Sequence, residues 1–421
     1  MTNSPPVAID SERLWARHMA AAQLGATAGG GVNRGALTAP DIELHRQLAE
    51  LAHARSFSIL VDDYGNTFFR RAGSDPHALA VVSGSHSDTQ PSGGRFDGIF
   101  GVLAAFEALE AIDDAGIDTR APLEVVIWNN EEGERFRPSQ MGSAVYTGVA
   151  ELAPLLAATD DAGRSMDACV QALRSALAYL HVGRRALGEA FAVFVEAHIE
   201  QGPILEAARV PIGVVSGIQG TRKFEIEVIG DAAHAGTMPR SGRRDAFVDA
   251  IAIVNRLHEM FHDAADEVRF TIGRFDVYPG ALAVVPERVW FSVDFRHPDE
   301  AVLVALGDAL EPAVKAAVRC CEVLVKEPVR ARPTQFTDMI ANAIIQAADR
   351  RGLAWRSIYS GAGHDARYMA AHCPTGMLFI PCDGGISHNE RENAQPEHVA
   401  AGAQVITDVM LELATRARPS D

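Results

Sequence analysis

Two kinds of apolar run alternate along this chain. Short unbroken runs stand at residues 79–82 (LAVV), 123–128 (LEVVIW), 192–196 (AVFVE) and 376–381 (GMLFIP), and longer segments carry apolar residues at helical spacing, most plainly over 99–115. Unbroken strand-length runs separated by helices describe a mostly parallel sheet covered on both faces. Ahead of the first run, helices are predicted over 10–23 and from 39 to about 56. A hairpin of strands 58–62 and 66–70 follows, turned by Asp63-Tyr64-Gly65. Helical segments are predicted to fill 142–187.

Near residue 215 the pattern changes. KFEIEVIG at 223–230 alternates polar and apolar positions, and so do 268–275 and 288–295, with a helix predicted over 244–262. Alternation of period two belongs to a sheet with one wet face. From about 334 the chain returns to helix and buried strand. The expected architecture is therefore α/β, a mostly parallel sheet flanked by helices over 1–215 and 333–421. It is interrupted by a smaller α+β domain over 216–332.

Composition narrows the function. A length of 421 residues suits two domains, and 48% hydrophobic content allows a sizeable core. The net charge of -17 argues against a nucleic-acid or anionic-membrane surface, which needs clustered Lys and Arg. No apolar run approaches the roughly 18 residues of a membrane span, and the N-terminal residues lack a signal-peptide pattern. The five cysteines are scattered, without CxxC spacing, so neither a disulfide framework nor a zinc ribbon is suggested. A cytoplasmic protein is expected. The glycine-rich ATAGGGVNRGALT has no strand before it and no GK[ST] after it, so it is not a phosphate loop.

The candidate chemistry sits where the buried strands end. His86 and Asp97 follow the first run, Glu131-Glu132 the second, His198 the third, and His388 in GISHNE the last. Carboxyl ends of parallel strands share one edge of the sheet, where open α/β folds build their sites. Each residue alone has an ordinary structural explanation, but four strand ends carrying ligand types do not. Nitrogen and oxygen donors without cysteine suit zinc, manganese or cobalt. Five donors exceed the needs of one catalytic zinc, and a carboxylate shared between two ions accounts for the excess. Adjacent Glu131 and Glu132 cannot both stay ionised cheaply, so one faces metal while the other keeps a proton-accepting role.

The segments SHSDTQPSGGRFDGIFGV, WNNEEGERF, EAHIEQGP, GIQG, HAGTMPRSGRRDA, DFRHPD, GAGHDA and GISHNE resemble the M20-type metal-dependent amidohydrolases. Within that family they are similar to the branch of N-carbamoyl-L-amino-acid hydrolases, β-ureidopropionases and allantoate amidohydrolases. The resemblance covers nearly the whole chain. It implies two divalent ions per subunit, zinc or manganese with cobalt or nickel as alternatives. Asp97 would bridge them, with His86 and His198 completing one ligand set and Glu132 and His388 the other. Glu131 would be the general base. The interrupting domain would be a lid and dimerisation domain, from which His234 reaches across a homodimer to polarise the substrate carbonyl. Arg296 would clamp a substrate carboxylate, with Gln219, Lys223 and Gly363 nearby. His364-Asp365 would lie close without ligating.

The implied substrate is a small ureido or amide acid cleaved at its carbamoyl C–N bond. Allantoate or another N-acyl amino acid is the alternative, and a dipeptide a further one. Two departures bear on that choice. Ala283 stands in PGALAVVPERV where relatives carry asparagine, and Met238 replaces a small polar residue after HAGT. Both leave the metal ligands untouched and the substrate open.

Overall fold

In the computed structural model, which describes residues 7–415, the apolar runs form the centre of a ten-stranded sheet. Leu123–Trp128, Val81–His86, Val193–Ile199 and Thr375–Ile380 lie side by side and parallel, in that order. Every residue of these four strands is buried, as expected of a sheet packed on both faces. Antiparallel strands extend it outward: Thr67–Arg71 and Ser58–Val61 on one side, Ile212–Ile218 on the other. Helix Ile99–Asp114 buries nearly its whole surface against three of the central strands and helix Pro396–Thr415.

The chain divides into two compact units, one made of the chain up to Ser216 and from Gln335 onward, the other of Gly217–Thr334. In the second, Arg288–His297 is flanked by Gly220–Ile229 on one side and by Arg269–Thr271 and Phe275–Tyr278 on the other, and Glu322–Ala331 forms the far edge. Phe224, Ile226 and Val228 point to one face, where helices Ala246–Phe261 and Glu300–Ala317 pack Ile253, Leu257, Leu303 and Leu310 against them. Both helices begin at an aspartate, Asp245 and Asp299, whose side chain accepts N–H groups of the first turn.

The structure departs from the pattern reading in several places, among them helix Glu300–Ala317 and strand Glu322–Ala331, which the pattern did not predict. The first central strand starts at Val81 and runs on to His86, leaving Leu79 exposed. Of its two buried serines, Ser85 donates to buried Glu196 at 2.7 Å, while Ser83 Oγ has no hydrogen-bond partner. Residues 142–187 are not continuously helical: helices Met141–Tyr146, Leu152–Leu156 and Met166–Leu177 are broken at Gly148 and at the Asp160–Arg164 turn, and Val182–Arg184 is an edge strand. Residues 268–275 split into parts of two short strands, Arg269–Thr271 and Phe275–Tyr278. Among the described residues, no helix is long and apolar enough to cross a membrane.

One core residue makes stability depend on pH. His18 is fully buried between Phe96 and Phe100, ring centroids 5.4 and 6.1 Å away, with neither ring nitrogen hydrogen-bonded. Burial, helped by Arg17 and Arg34, pushes its pKa down to about 3. An unfolded chain takes up this proton below about pH 6.5, and the folded one refuses it. His18 therefore subtracts stability as pH falls from about 6.5 towards 3, by up to about 1.4 kcal/mol per pH unit. In urea titrations His18→Leu should gain on the parent as pH drops from about 7 to about 5; a constant gap would contradict this.

Candidate active site

The carboxyl ends of the four parallel strands bring six of the predicted residues together. His86 ends its strand, and the loop beyond it returns through Asp97 to helix Ile99–Asp114. The return needs a glycine: Gly98 has φ +65, and a Cβ there would lie 2.3 Å from the His86 ring. Oδ1 of Asp97 lies 3.1 Å from His198 Nε2 and 3.7 Å from His86 Nε2, while Oδ2 lies 3.2 Å from His388 Nε2. His388 Nε2 is also 3.5 Å from Glu132 Oε2. Donor atoms of His86, Asp97 and His198 thus fall within 4.8 Å of one another, and so do those of Asp97, Glu132 and His388. Asp97 belongs to both groups, one oxygen towards each.

Ring nitrogens Nδ1 of His86 and His198 lie 2.9 Å from the carbonyls of Asp88 and Ile199. A carbonyl only accepts, so each Nδ1 carries a proton, and Nε2 is the ring nitrogen turned towards Asp97. Glu131 is buried, with Oε2 3.7 Å from His86 Nε2. Burial first, then Asp365, Glu132, Asp88 and Asp97, pushes its carboxyl well above the ordinary range. Asp88 and Asp365 are raised likewise, chiefly by burial. Asp97 goes the other way: burial would raise it, but His198 and His388 outweigh that and hold it well below.

These residues fit divalent cations. The donors are nitrogen and oxygen only, and negative charge is crowded into a buried space beyond what the neighbouring cations offset. Glu132 Oε1 is buried without a hydrogen-bond partner, while Oε2 accepts the Gln90 amide at 2.9 Å. Two other groupings are already occupied by hydrogen bonds. Glu196, behind His198, takes Ser85 Oγ and Ala366 N–H, and His364 meets Ser360 at 2.8 Å. Asp249, beside Cys320 and Cys321, accepts three backbone N–H groups of residues 319–321.

Several residues that hold these side chains in place escaped the sequence reading. Asp88 accepts the backbone N–H groups of Glu131 and Glu132, each at 3.1 Å. Glu392 accepts those of Phe96 and Asp97 at 2.9 and 3.0 Å. Spacing was the available signal: Asp88 lies two residues past His86 and Glu392 four past His388. Gln140 was missed as well, and donates to Glu131 Oε1 at 3.1 Å.

The model of peptidase family M20/M25/M40 matches residues 82–412, which span all six of these residues. The chain belongs to this family. It is 37% identical to an N-carbamoyl-L-amino-acid amidohydrolase of Rhizobium meliloti over 96% of this chain and 97% of the relative. An allantoate amidohydrolase of Bacillus subtilis is 33% identical over 93% of this chain and 95% of its own length. A crystal structure of a hydantoinase/carbamoylase-family amidase from Burkholderia multivorans superposes with TM-score 0.92 at 42% identity, covering 98% of this chain and all of that one. The M20 fold expected from the motifs, mixed α/β with a mostly parallel central sheet, is the one observed.

The remaining predicted residues lie elsewhere. In the inserted unit, register places Lys223 opposite Asp294, with Arg296 two residues on along the same face. Lys223 Nζ is 3.4 Å from Asp294, and the Arg296 guanidinium meets it at 3.1–3.2 Å. His234 is exposed, in a two-residue strand paired with Val284–Val285, and its Nδ1 accepts from Gly236 N. Ala283 is its neighbour, its carbonyl accepting from Ala235 N at 2.9 Å. Gln219 joins strands Ile212–Ile218 and Gly220–Ile229. Gly363 lies against Gln140 in the first unit.

Proposed function

We propose that this M20 chain hydrolyses the carbamoyl C–N bond of N-carbamoyl-L-amino acids or a closely related ureido acid. The observation that carries the reading is Asp97 offering one oxygen to each of two ligand groups, with Glu131 buried beside them. Similarity at 37% identity over nearly the full length of an N-carbamoyl-L-amino-acid amidohydrolase supports the substrate class, and the Bacillus subtilis relative supports allantoate as the second candidate.

In this reading His86, Asp97 and His198 hold one divalent ion, and Asp97, Glu132 and His388 the other, zinc or manganese. Such ions, when bound, lower the pKa of water and polarise a carbonyl oxygen. Glu131 accepts the proton of the water that attacks the ureido carbonyl, and returns it to the leaving nitrogen. The products are the free amine and carbamate, which breaks down to carbon dioxide and ammonia. The inserted unit acts as lid and dimerisation domain: His234 of the neighbouring subunit donates to the developing oxyanion, and Arg296 receives the substrate carboxylate. Gln219, Lys223 and Gly363 line the substrate's place. Five free cysteines suit a reducing cytoplasm.

A substrate panel tests this. N-carbamoyl amino acids, allantoate, N-acetyl and N-formyl amino acids and dipeptides are offered to the enzyme before chelation, after it, and after restoring a single ion. Turnover of ureido acids is expected, lost on chelation and recovered with zinc or manganese. Turnover of dipeptides alone, or activity surviving complete metal removal, would refute the reading.

A further inference from the structure

We infer that Gln140 is the residue that fixes which oxygen of Glu131 takes the proton, and that Gly363 is a glycine because Gln140's amide fills its place. The inference rests on the reading of Glu131 as the general base. Gln140 is tied to Glu131 twice. Its backbone N–H donates to the Glu131 carbonyl at 2.7 Å, and its side-chain Nε2 donates to Glu131 Oε1 at 3.1 Å. A carboxylate only accepts, so the amide's NH2 must be the end facing it.

The two oxygens of Glu131 are therefore unequal. Oε1 is occupied by the amide, while Oε2 is the oxygen 3.7 Å from His86 Nε2, facing the ligand cluster. A carboxylate free to rotate about its last torsion would present either oxygen, or neither, to a reacting water. The amide removes that freedom, and such pre-organisation is what a proton acceptor gains from its neighbours.

Gln140 holds an unfavourable backbone conformation to do this. Its φ is +57, in the left-handed region that disfavours a residue with a Cβ. The residue is 8% exposed, enclosed rather than solvated. Across from it, a Cβ at Gly363 would lie 2.7 Å from Nε2, closer than real side chains approach. The bland alternative is that Gln140 merely closes the loop after Glu131, a task its backbone bond performs whatever the side chain.

The test separates these. Gln140→Leu and Gln140→Met remove the donor at similar volume, and Gly363→Ala displaces it while keeping the glutamine. On a ureido substrate, each is expected to lower kcat about 10–100-fold. For the two Gln140 variants KM should stay within about threefold, with metal content and melting temperature near the parent's; Gly363→Ala, which also stands at the substrate's place, is read on kcat and metal content alone. A solvent isotope effect on kcat should grow as proton transfer becomes limiting. The double variant Gln140→Leu/Gly363→Ala should be no slower than the worse single, since both act through one amide. A kcat within about twofold of the parent in any variant that binds its full metal complement would overturn the inference, and so would losses that multiply in the double. A loop-closing role alone predicts lower melting temperature with kcat held. Glu131→Gln in the same series separates the two levels. If that variant still turns over at the parent rate, the general-base reading itself fails; if it is dead while the Gln140 variants are fast, only the present inference fails.

Discussion

Glu131→Gln should bind its full complement of divalent ions and turn over about 10²–10⁴-fold more slowly than the parent, the usual contribution of a positioned proton-transfer group. The amide keeps the shape and hydrogen-bonding reach of the side chain but cannot accept a proton. Fold and metal site should survive. Glu131 is buried among Asp365, Glu132, Asp88 and Asp97, all of which oppose its charge. Removing that charge relieves repulsion, so the melting temperature should hold or rise. Kinetics beside elemental analysis of the same preparation settles the matter, and an unchanged kcat in metal-replete protein would remove Glu131 from the mechanism.

The second large effect is expected at Asp97. Because its oxygens face different ligand groups, Oδ1 towards His86 and His198 and Oδ2 towards His388, Asp97→Asn should weaken both metal sites at once. The loss should exceed the roughly 10–100-fold that outer-shell partners typically cost, with activity falling below detection. His388→Ala is the control, since it touches only the group it shares with Glu132. Dialysed Asp97→Asn should retain markedly less metal than dialysed His388→Ala. Equal retention would mean that Asp97 serves one ion alone.

How legible this site was depends on what each residue does. Candidates at or just past the ends of unbroken apolar strands announce themselves, because the strand fixes where its end goes; His86, His198 and the Glu131-Glu132 pair come together for that reason. Asp88, Glu392 and Gln140 act on backbone N–H groups or on one carboxylate oxygen across loops, and such bonds leave no period in the sequence. The same limit applies to the fold. Gly220–Ile229 alternates and was seen. Glu322–Ala331, its neighbour, has Pro328 inside it and a register shift between Lys326 and Val329, so its alternation is interrupted. Over 142–187 helical spacing continued through breaks that single glycines and a turn impose. Ala283, picked out as a departure from the family pattern, does adjoin His234.

The order of the central strands bears on how the protein is made. Thr375–Ile380 lies beside Val193–Ile199, pairing Thr375 with Phe194, so the chain between them, the inserted unit included, is synthesised before the two can meet. Contacts so distant in sequence form slowly. His86, Asp97 and His198 are available early to a growing chain, whereas the group holding Glu132 stays incomplete until residue 388 leaves the ribosome. A chain stopped before residue 388 would therefore contain every residue of the His86, Asp97 and His198 group and lack one of the group that Asp97 shares with Glu132.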